Sequence, residues 1–111
     1  MNTLTIAVFA PILVAVGILG FVIPPDKAKT SGAPLYNVFH IVFGLTGIVL
    51  AFTGNDAAIR TFNVGFGAID LYQALASRSH WWPEKIFRWT KVDDGLHVVI
   101  GIFLVVVGVF L

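Results

Sequence analysis

LTIAVFAPILVAVGILGFVI, residues 4–23, contains no charged side chain and is followed by Pro24-Pro25. A helix needs about 20 apolar residues to cross the hydrocarbon core of a bilayer, so this stretch predicts a transmembrane helix. A cleaved signal peptide would begin with a basic region, and residues 1–3 have no charged side chain. We therefore expect the helix to be retained in the protein.

The composition of the whole chain favours an integral membrane protein. Its 111 residues are 58% hydrophobic and 12% charged, and the mean hydropathy is +0.92. A soluble domain has about 25% charged residues, and so short a chain would leave much of this apolar surface in water. Seven Lys and Arg against six Asp and Glu give a net charge of +1 without a basic stripe, so the expected partner is the lipid bilayer and not nucleic acid. Because the chain has no cysteine, a metal or cofactor would need histidine, carboxylate or backbone ligands.

Three further segments complete a predicted bundle of four transmembrane helices in a single domain. The third segment holds Arg60, Asn63 and Asp70, but these residues recur at helical spacing and form one stripe that can face the other helices. The sequence therefore predicts an all-α polytopic membrane protein. The predicted spans are residues 4–23, 35–53, 57–77 and 94–111.

The region between the third and fourth predicted spans is the most polar part of the chain. It contains WWPEKIFRW, residues 81–89, which combines three tryptophans with Lys and Arg. This combination is typical of the headgroup zone of a bilayer, and we expect a short interfacial helix here. The predicted interfacial anchors are Trp81, Trp82, Trp89, Arg88 and Lys85.

The distribution of positive charge predicts the orientation. Six of the seven basic residues follow the first and third predicted helices: Lys27, Lys29, Arg78, Lys85, Arg88 and Lys91. The other side has Arg60 and the amino terminus. Cytoplasmic loops carry an excess of Lys and Arg, so we expect a multi-pass protein of the cell (inner) membrane with both termini outside the cytoplasm.

Two of the predicted helices begin with the same pattern. Residues 37–44 read NVFHIVFG and residues 94–101 read DGLHVVIG. Both helices start on the cytoplasmic side and run parallel, so we expect two parallel helix-pair repeats about an axis along the membrane normal. Asn37 and Asp94 are the predicted N-caps, because their side-chain oxygens can accept from the first free N–H groups of a helix.

The repeated pattern places a histidine and a glycine one turn apart on the same helix face. His40 is followed by Gly44, and His97 is followed by Gly101. These glycines, together with Gly67 on the polar stripe of the third helix, permit either close helix packing or clearance for a flat cofactor.

The same residues resemble a widespread family of small bacterial four-helix membrane proteins of unknown function. The matching residues are Asn37, His40, Tyr72, Asp94, Leu96, His97 and Gly101, within residues 35–111. The resemblance implies the four-helix fold and the membrane location, and it implies no activity. Asp70 is not part of the family's pattern.

One polar cluster is predicted inside the bundle. His40 and His97 lie near the starts of their helices and Asp70 about 10 Å from the cytoplasmic end of its own, so these residues and Tyr72 can meet. An ionisable group at the centre of a membrane helix costs about 2.5–3.5 kcal/mol, so the cluster needs a partner or a purpose.

The cluster leaves several interpretations open. An interhelical hydrogen-bond network would make the protein a structural or accessory membrane subunit, in a homo-oligomer or a larger membrane complex. His40 and His97 could instead hold haem b, or a divalent metal together with Asp70. An oligomeric proton or small-solute pathway is the remaining alternative. Since no catalytic motif is present, we do not expect an enzyme.

Overall fold

The computed structural model describes residues 1–24 and 26–111, and its regular structure is helical throughout. The helices are α1 Asn2–Val22, α2 Pro34–Thr53, α3 Asp56–Ser79, α4 Glu84–Phe87 and α5 Lys91–Phe110. Three of them, α1, α2 and α5, are long and apolar enough to cross a membrane. The all-α prediction is confirmed. The third predicted span, now α3, is not among these helices because its polar side chains lower its mean hydropathy.

The first helix ends where the sequence predicts. α1 stops at Val22, and Ile23 is extended, with φ −74° and ψ 128°. This conformation is the one that a following proline favours, since the proline ring clashes with a helical residue before it. Pro25, the second of the two prolines that follow the predicted span, lies outside the described residues.

The long helices alternate in direction. At one end, Asn63 Nδ2 near the start of α3 donates to Asn2 Oδ1 at 3.1 Å, and Arg60 Nη2 donates to the carbonyl of Leu111 at 3.1 Å. At the opposite end, the amide of Ser31 donates to Asp93 Oδ2 at 2.7 Å. We call these the terminal end, with residues 1–5 and 108–111, and the loop end, with residues 26–33 and 80–90. Both termini lie together, and α2 and α5 run parallel.

The helices form two closely packed hairpins, α1 with α2 and α3 with α5. A Cβ at Gly44 would lie 2.8 Å from the carbonyl oxygen of Ala10, and a Cβ at Gly101 would lie 2.9 Å from that of Gly67. Backbones approach this closely only where side chains are small. Gly44, Gly101 and Gly67 therefore serve helix packing. The predicted cofactor clearance at these glycines was wrong, because a neighbouring helix fills the space.

The N-cap predicted for α2 was wrong by about one turn. The N-cap residue is Ala33, not Asn37, and Pro34 occupies the first helical position. Proline starts a helix without a side-chain cap, because its φ is already helical and its missing N–H would have had no partner there. Asn37 lies inside the helix, and its Nδ2 donates to the carbonyl of Gly32 at 3.0 Å.

The N-cap predicted for α5 was wrong by the same distance. The cap is Thr90, not Asp94, and a capping box joins Thr90 to Asp93. Thr90 Oγ1 accepts from the amide of Asp93 at 3.2 Å, and Asp93 Oδ2 accepts from the amide of Thr90 at 2.9 Å. A helix start at Thr90 is favoured over one at Asp94 because the capping box satisfies two backbone donors at once.

A single-turn helix, α4, lies in the segment predicted to contain a short interfacial helix. Trp81 and Trp82 are 49% and 76% exposed, and Lys85 and Arg88 are also exposed. Their exposure is what membrane anchors require. Phe87 turns inward instead, and its ring centre lies 5.2 Å from that of Tyr36.

Phenylalanine rings fill the middle of the bundle. The ring centres of Phe39 and Phe43 are 4.6 Å apart, and Phe66 lies 5.1 Å from Phe43 and 5.7 Å from both Phe62 and Phe9. Closer to the terminal end the core continues with fully buried aliphatic side chains, Ile6, Ile59 and Leu104. The interior between mid-bundle and the terminal end is therefore mainly apolar, with Asn2, Thr5 and Asn63 as its buried polar residues.

Candidate functional site

A cavity of about 90 Å³ lies inside the bundle toward the loop end. Its polar lining includes Tyr36 and His40 from α2, Asp70 from α3, and Asp93 and His97 from α5. α1 supplies an apolar wall on the remaining side. Three of the four residues predicted to meet, both histidines and the aspartate, therefore line one cavity.

Tyr72, the fourth predicted member, lies elsewhere. Its side chain is 44% exposed, and its hydroxyl donates to the carbonyl of Trp82 at 2.7 Å. Tyr72 follows Asp70 by two residues, and residues two apart on a helix point to different faces. Including Tyr72 in the cluster was therefore wrong.

Tyr36 is the tyrosine of the cavity, and it was not among the predicted site residues. It is 1% exposed, and its hydroxyl lies 2.7 Å from His97 Nε2 and 3.4 Å from Asp93 Oδ1. Tyr36 and Asp93 each precede a histidine of the repeated pattern by four residues, so each shares a helix face with it. Extending the pattern by one residue toward the amino terminus would have found both.

Asp93 joins the two hairpins at the loop end. Besides the capping box, its Oδ2 accepts from the amide of Ser31, which belongs to the other hairpin's loop. Ser31 Oγ in turn donates to the carbonyl of Phe87. Each of these groups has a hydrogen-bond partner. The polar residues around Asp93 therefore form a structural network.

The two histidines flank Tyr36. The ring centre of Tyr36 lies 4.2 Å from that of His40 and 6.0 Å from that of His97. The histidines are 8% and 5% exposed. Both Nδ1 atoms are buried, and neither has a hydrogen-bond partner in the described part of the chain. A buried polar atom without a partner is uncommon in folded proteins.

Asp70 is the least satisfied acid of the cluster. It is 3% exposed, and its one hydrogen bond within residues 1–24 and 26–111 is a long contact of 3.4 Å from Gln73 Nε2. Gln73 Oε1 accepts from the indole of Trp89 at 2.9 Å. Trp89, predicted as an interfacial anchor, is half-buried, and its indole N–H is directed toward α3.

The cavity does not fit haem. Pockets for ligands smaller than a porphyrin already enclose about 300–1,000 Å³, against about 90 Å³ here. The Tyr36 hydroxyl also occupies His97 Nε2, so this nitrogen is not free to ligate iron. Neither does a metal fit: within the described residues, no three His, Asp or Glu side chains form a group that could hold an ion.

Comparison with known proteins adds no relative, since no family model, no curated protein and no solved structure matches the chain. Any functional proposal therefore rests on the geometry of the cavity and its polar residues. Chemically, the cavity lining combines the carboxyl group of Asp70 with two histidines whose Nδ1 atoms have no partner in the described part of the chain, and the rest of the lining is mostly apolar.

Proposed function

We propose that the chain is an integral membrane protein that crosses the bilayer with α1, α2, α3 and α5 and binds a small polar group in its interior. The burial of polar residues on α3 supports its role as a fourth span. Asn63, Asp70 and Gln73 are at most 3% exposed, whereas Leu75 on the opposite face is 50% exposed. Membrane helices accommodate ionisable residues in this way, turned toward the bundle.

Equivalent contacts in the two hairpins support a repeat. Gly44 packs on Ala10 in the first hairpin, and Gly101 packs on Gly67 in the second. Both residues of the second contact come 57 positions after their counterparts. The same separation of 57 positions lies between the N-caps Ala33 and Thr90. It also lies between His40 and His97. One hairpin geometry, used twice, explains why the same pattern opens α2 and α5.

The orientation gives a direct test of the fourth span. Alkaline phosphatase fused after Leu111 is expected to be active, and green fluorescent protein fused there is expected to stay dark, because both report an outside carboxyl terminus. Fusions after Arg88 serve as the control and should give the opposite result. A fluorescent fusion after Leu111 would mean that α3 does not cross, and would refute the four-span proposal.

Three poorly paired polar groups, in Asp70, His40 and His97, support a binding function. Leaving a buried donor or acceptor unpaired costs about 1–3 kcal/mol. The network around Asp93 avoids this penalty, whereas Asp70 has one long contact and the Nδ1 atoms of His40 and His97 have none. The buried, poorly paired carboxyl group of Asp70 is the observation that carries the proposal. A ligand that hydrogen-bonds these three groups would remove the penalty.

The filled core favours a binding site over a pathway through one chain. Along α3 the buried Phe66 comes between Asn63 and Asp70, and Asn63 Nδ2 is already bonded to Asn2. Arg60 is likewise engaged, with the carbonyl of Leu111. Because all the cavity residues come from one chain, the proposed site does not depend on an oligomer.

Asp70→Leu tests whether the carboxyl group serves binding or stability. We expect the free energy of unfolding of this variant to equal that of the wild type or to exceed it by up to about 1 kcal/mol. The reason is that a poorly paired buried acid is replaced by an apolar side chain of similar size. The measurement is the free energy of unfolding in detergent. Asp70→Asn, which keeps the shape and polarity, is the matched control. A loss above about 1 kcal/mol in Asp70→Leu would show that Asp70 is a structural residue.

A further inference from the structure

An apolar groove lies on the outer surface between α1 and α5. It has a volume of about 410 Å³, and its walls include Leu4, Val8 and Ile12 from α1 with Val99 and Phe103 from α5. The groove exists because these two helices belong to different hairpins. The interhelical glycine contacts that bring backbones together fall within the hairpins, so α1 and α5 stay further apart.

The groove and the polar cavity adjoin. Phe9, Ile12 and Ile100 line both of them. These three side chains thus form the wall between a surface that faces lipid and a cavity that contains Asp70 and the two histidines. A molecule in the groove would therefore lie beside the cavity, and only a displacement of one of these side chains separates it from Asp70 and the histidines.

We propose that the ligand of the cavity is a membrane-soluble amphiphile with one apolar chain and a small neutral head that carries a hydroxyl or carbonyl oxygen. This inference rests on the proposed function, because it takes the cavity to be a binding site. The head hydrogen-bonds Asp70 and a histidine Nδ1, and the chain lies in the groove.

The dimensions and polarity of the two spaces agree with this ligand. The groove spans Leu4 to Ile12 along α1, about 12 Å at the helical rise of 1.5 Å per residue. Groove and cavity together fall in the range of about 300–1,000 Å³ that small-molecule sites occupy. The lining offers hydrogen-bonding groups but no Lys or Arg side chain, which argues against an anionic head.

The test uses a hexadecanol that carries a photoactivatable diazirine in its chain, added to the purified full-length protein in nanodiscs. We expect saturable crosslinking to peptides from residues 1–12 and 96–104. Val99→Trp fills the groove from the lipid side and is expected to lower the affinity about tenfold or more. Ile102→Trp is the matched control, because Ile102 is similarly exposed on α5 but does not line the groove.

Asp70→Leu separates this inference from the proposed function. We expect it to weaken binding about tenfold, the effect of one lost hydrogen bond to a buried group. If Asp70→Leu weakens binding and Val99→Trp does not, the cavity binds but the chain lies elsewhere, and the inference fails alone. If only Val99→Trp weakens binding, the groove holds chains without using the polar cavity, and both proposals fail. Saturable binding unaffected by either variant also overturns both.

Competition with unlabelled compounds identifies the head. Hexadecanol and a decyl-substituted benzoquinone present the two sources of a neutral oxygen, and displacement by one of them assigns a hydroxyl or a carbonyl head. Hexadecanoate is expected to compete more weakly, because its charge would be buried without a cation. Hexadecane lacks a head, and competition by hexadecane equal to that of hexadecanol would overturn the inference.

Discussion

Gly101→Ala is expected to lower the free energy of unfolding by about 2 kcal/mol or more, because the added methyl group has no space. Its carbon would lie 2.9 Å from the carbonyl oxygen of Gly67 and 2.9 Å from Leu71 Cγ. The Leu71 side chain can move, but the Gly67 carbonyl belongs to the α3 backbone. The two helices would have to separate, and the whole contact between them would loosen. Unfolding in detergent, followed by circular dichroism, measures the change.

Gly95→Ala on the same helix is the matched control. A Cβ at Gly95 meets nothing within 4 Å, so the change is expected to be neutral or to stabilise the helix by up to about 1 kcal/mol through propensity. Gly44→Ala should behave like Gly101→Ala, since its Cβ would lie 2.8 Å from the carbonyl of Ala10. Equal effects at Gly95 and Gly101 would contradict the packing described for the second hairpin.

Hydropathy and charge predict most of this fold, because both act along the chain. Continuous apolar stretches give α1, α2 and α5 to within a few residues, and the basic loops fall together at the loop end. The polarity of α3 is the exception. Its periodic stripe indicates a helix, yet whether such a helix spans depends on neighbours that cover Asn63 and Asp70, and sequence alone does not reveal those neighbours.

The candidate site is predictable where helical periodicity decides it. Equal spacing in the repeated pattern puts His40 and His97 on corresponding faces of two parallel helices, which is why both reach one cavity. Tyr72 fails by the same rule, since it cannot face the direction of Asp70. Whether Tyr36 reaches the cavity depends on how α2 is rotated relative to α5, which is a property of the tertiary structure. Gly44 and Gly101 lie one turn after the histidines. A glycine at such a position is compatible both with a closely packed helix and with a bound cofactor.

The caps show a different kind of error, in which a local signal was present and was not used. Thr90-x-x-Asp93 is the spacing of a capping box, and Pro34 is a residue that starts helices. Choosing Asn37 and Asp94 instead gave each histidine a position too close to the helix start. The correction moves His40 and His97 about one turn further into the bundle, and with them the polar cavity.

Asp93→Ala is expected to destabilise the protein by about 3 kcal/mol, because one carboxylate holds three parts of the loop end. Its Oδ2 accepts from the amides of Ser31 and Thr90, and its Oδ1 lies 3.4 Å from the hydroxyl of Tyr36. Removing it leaves the buried amide of Ser31 without an acceptor and removes half of the capping box. Chemical unfolding in detergent gives the free energy directly.

Asp94→Ala is the control that separates this network from general charge effects. Asp94 carries the same charge one residue later, and its Oδ1 has no hydrogen-bond partner among the described residues. We expect a change within about 0.5 kcal/mol, mainly from the lost interaction of an acid with the helix amino terminus. Asp93→Asn keeps one acceptor oxygen and should fall between the two. The opposite order, with Asp94→Ala the more damaging, would return the helix start to Asp94 and move His97 back toward the loop end, away from Asp70.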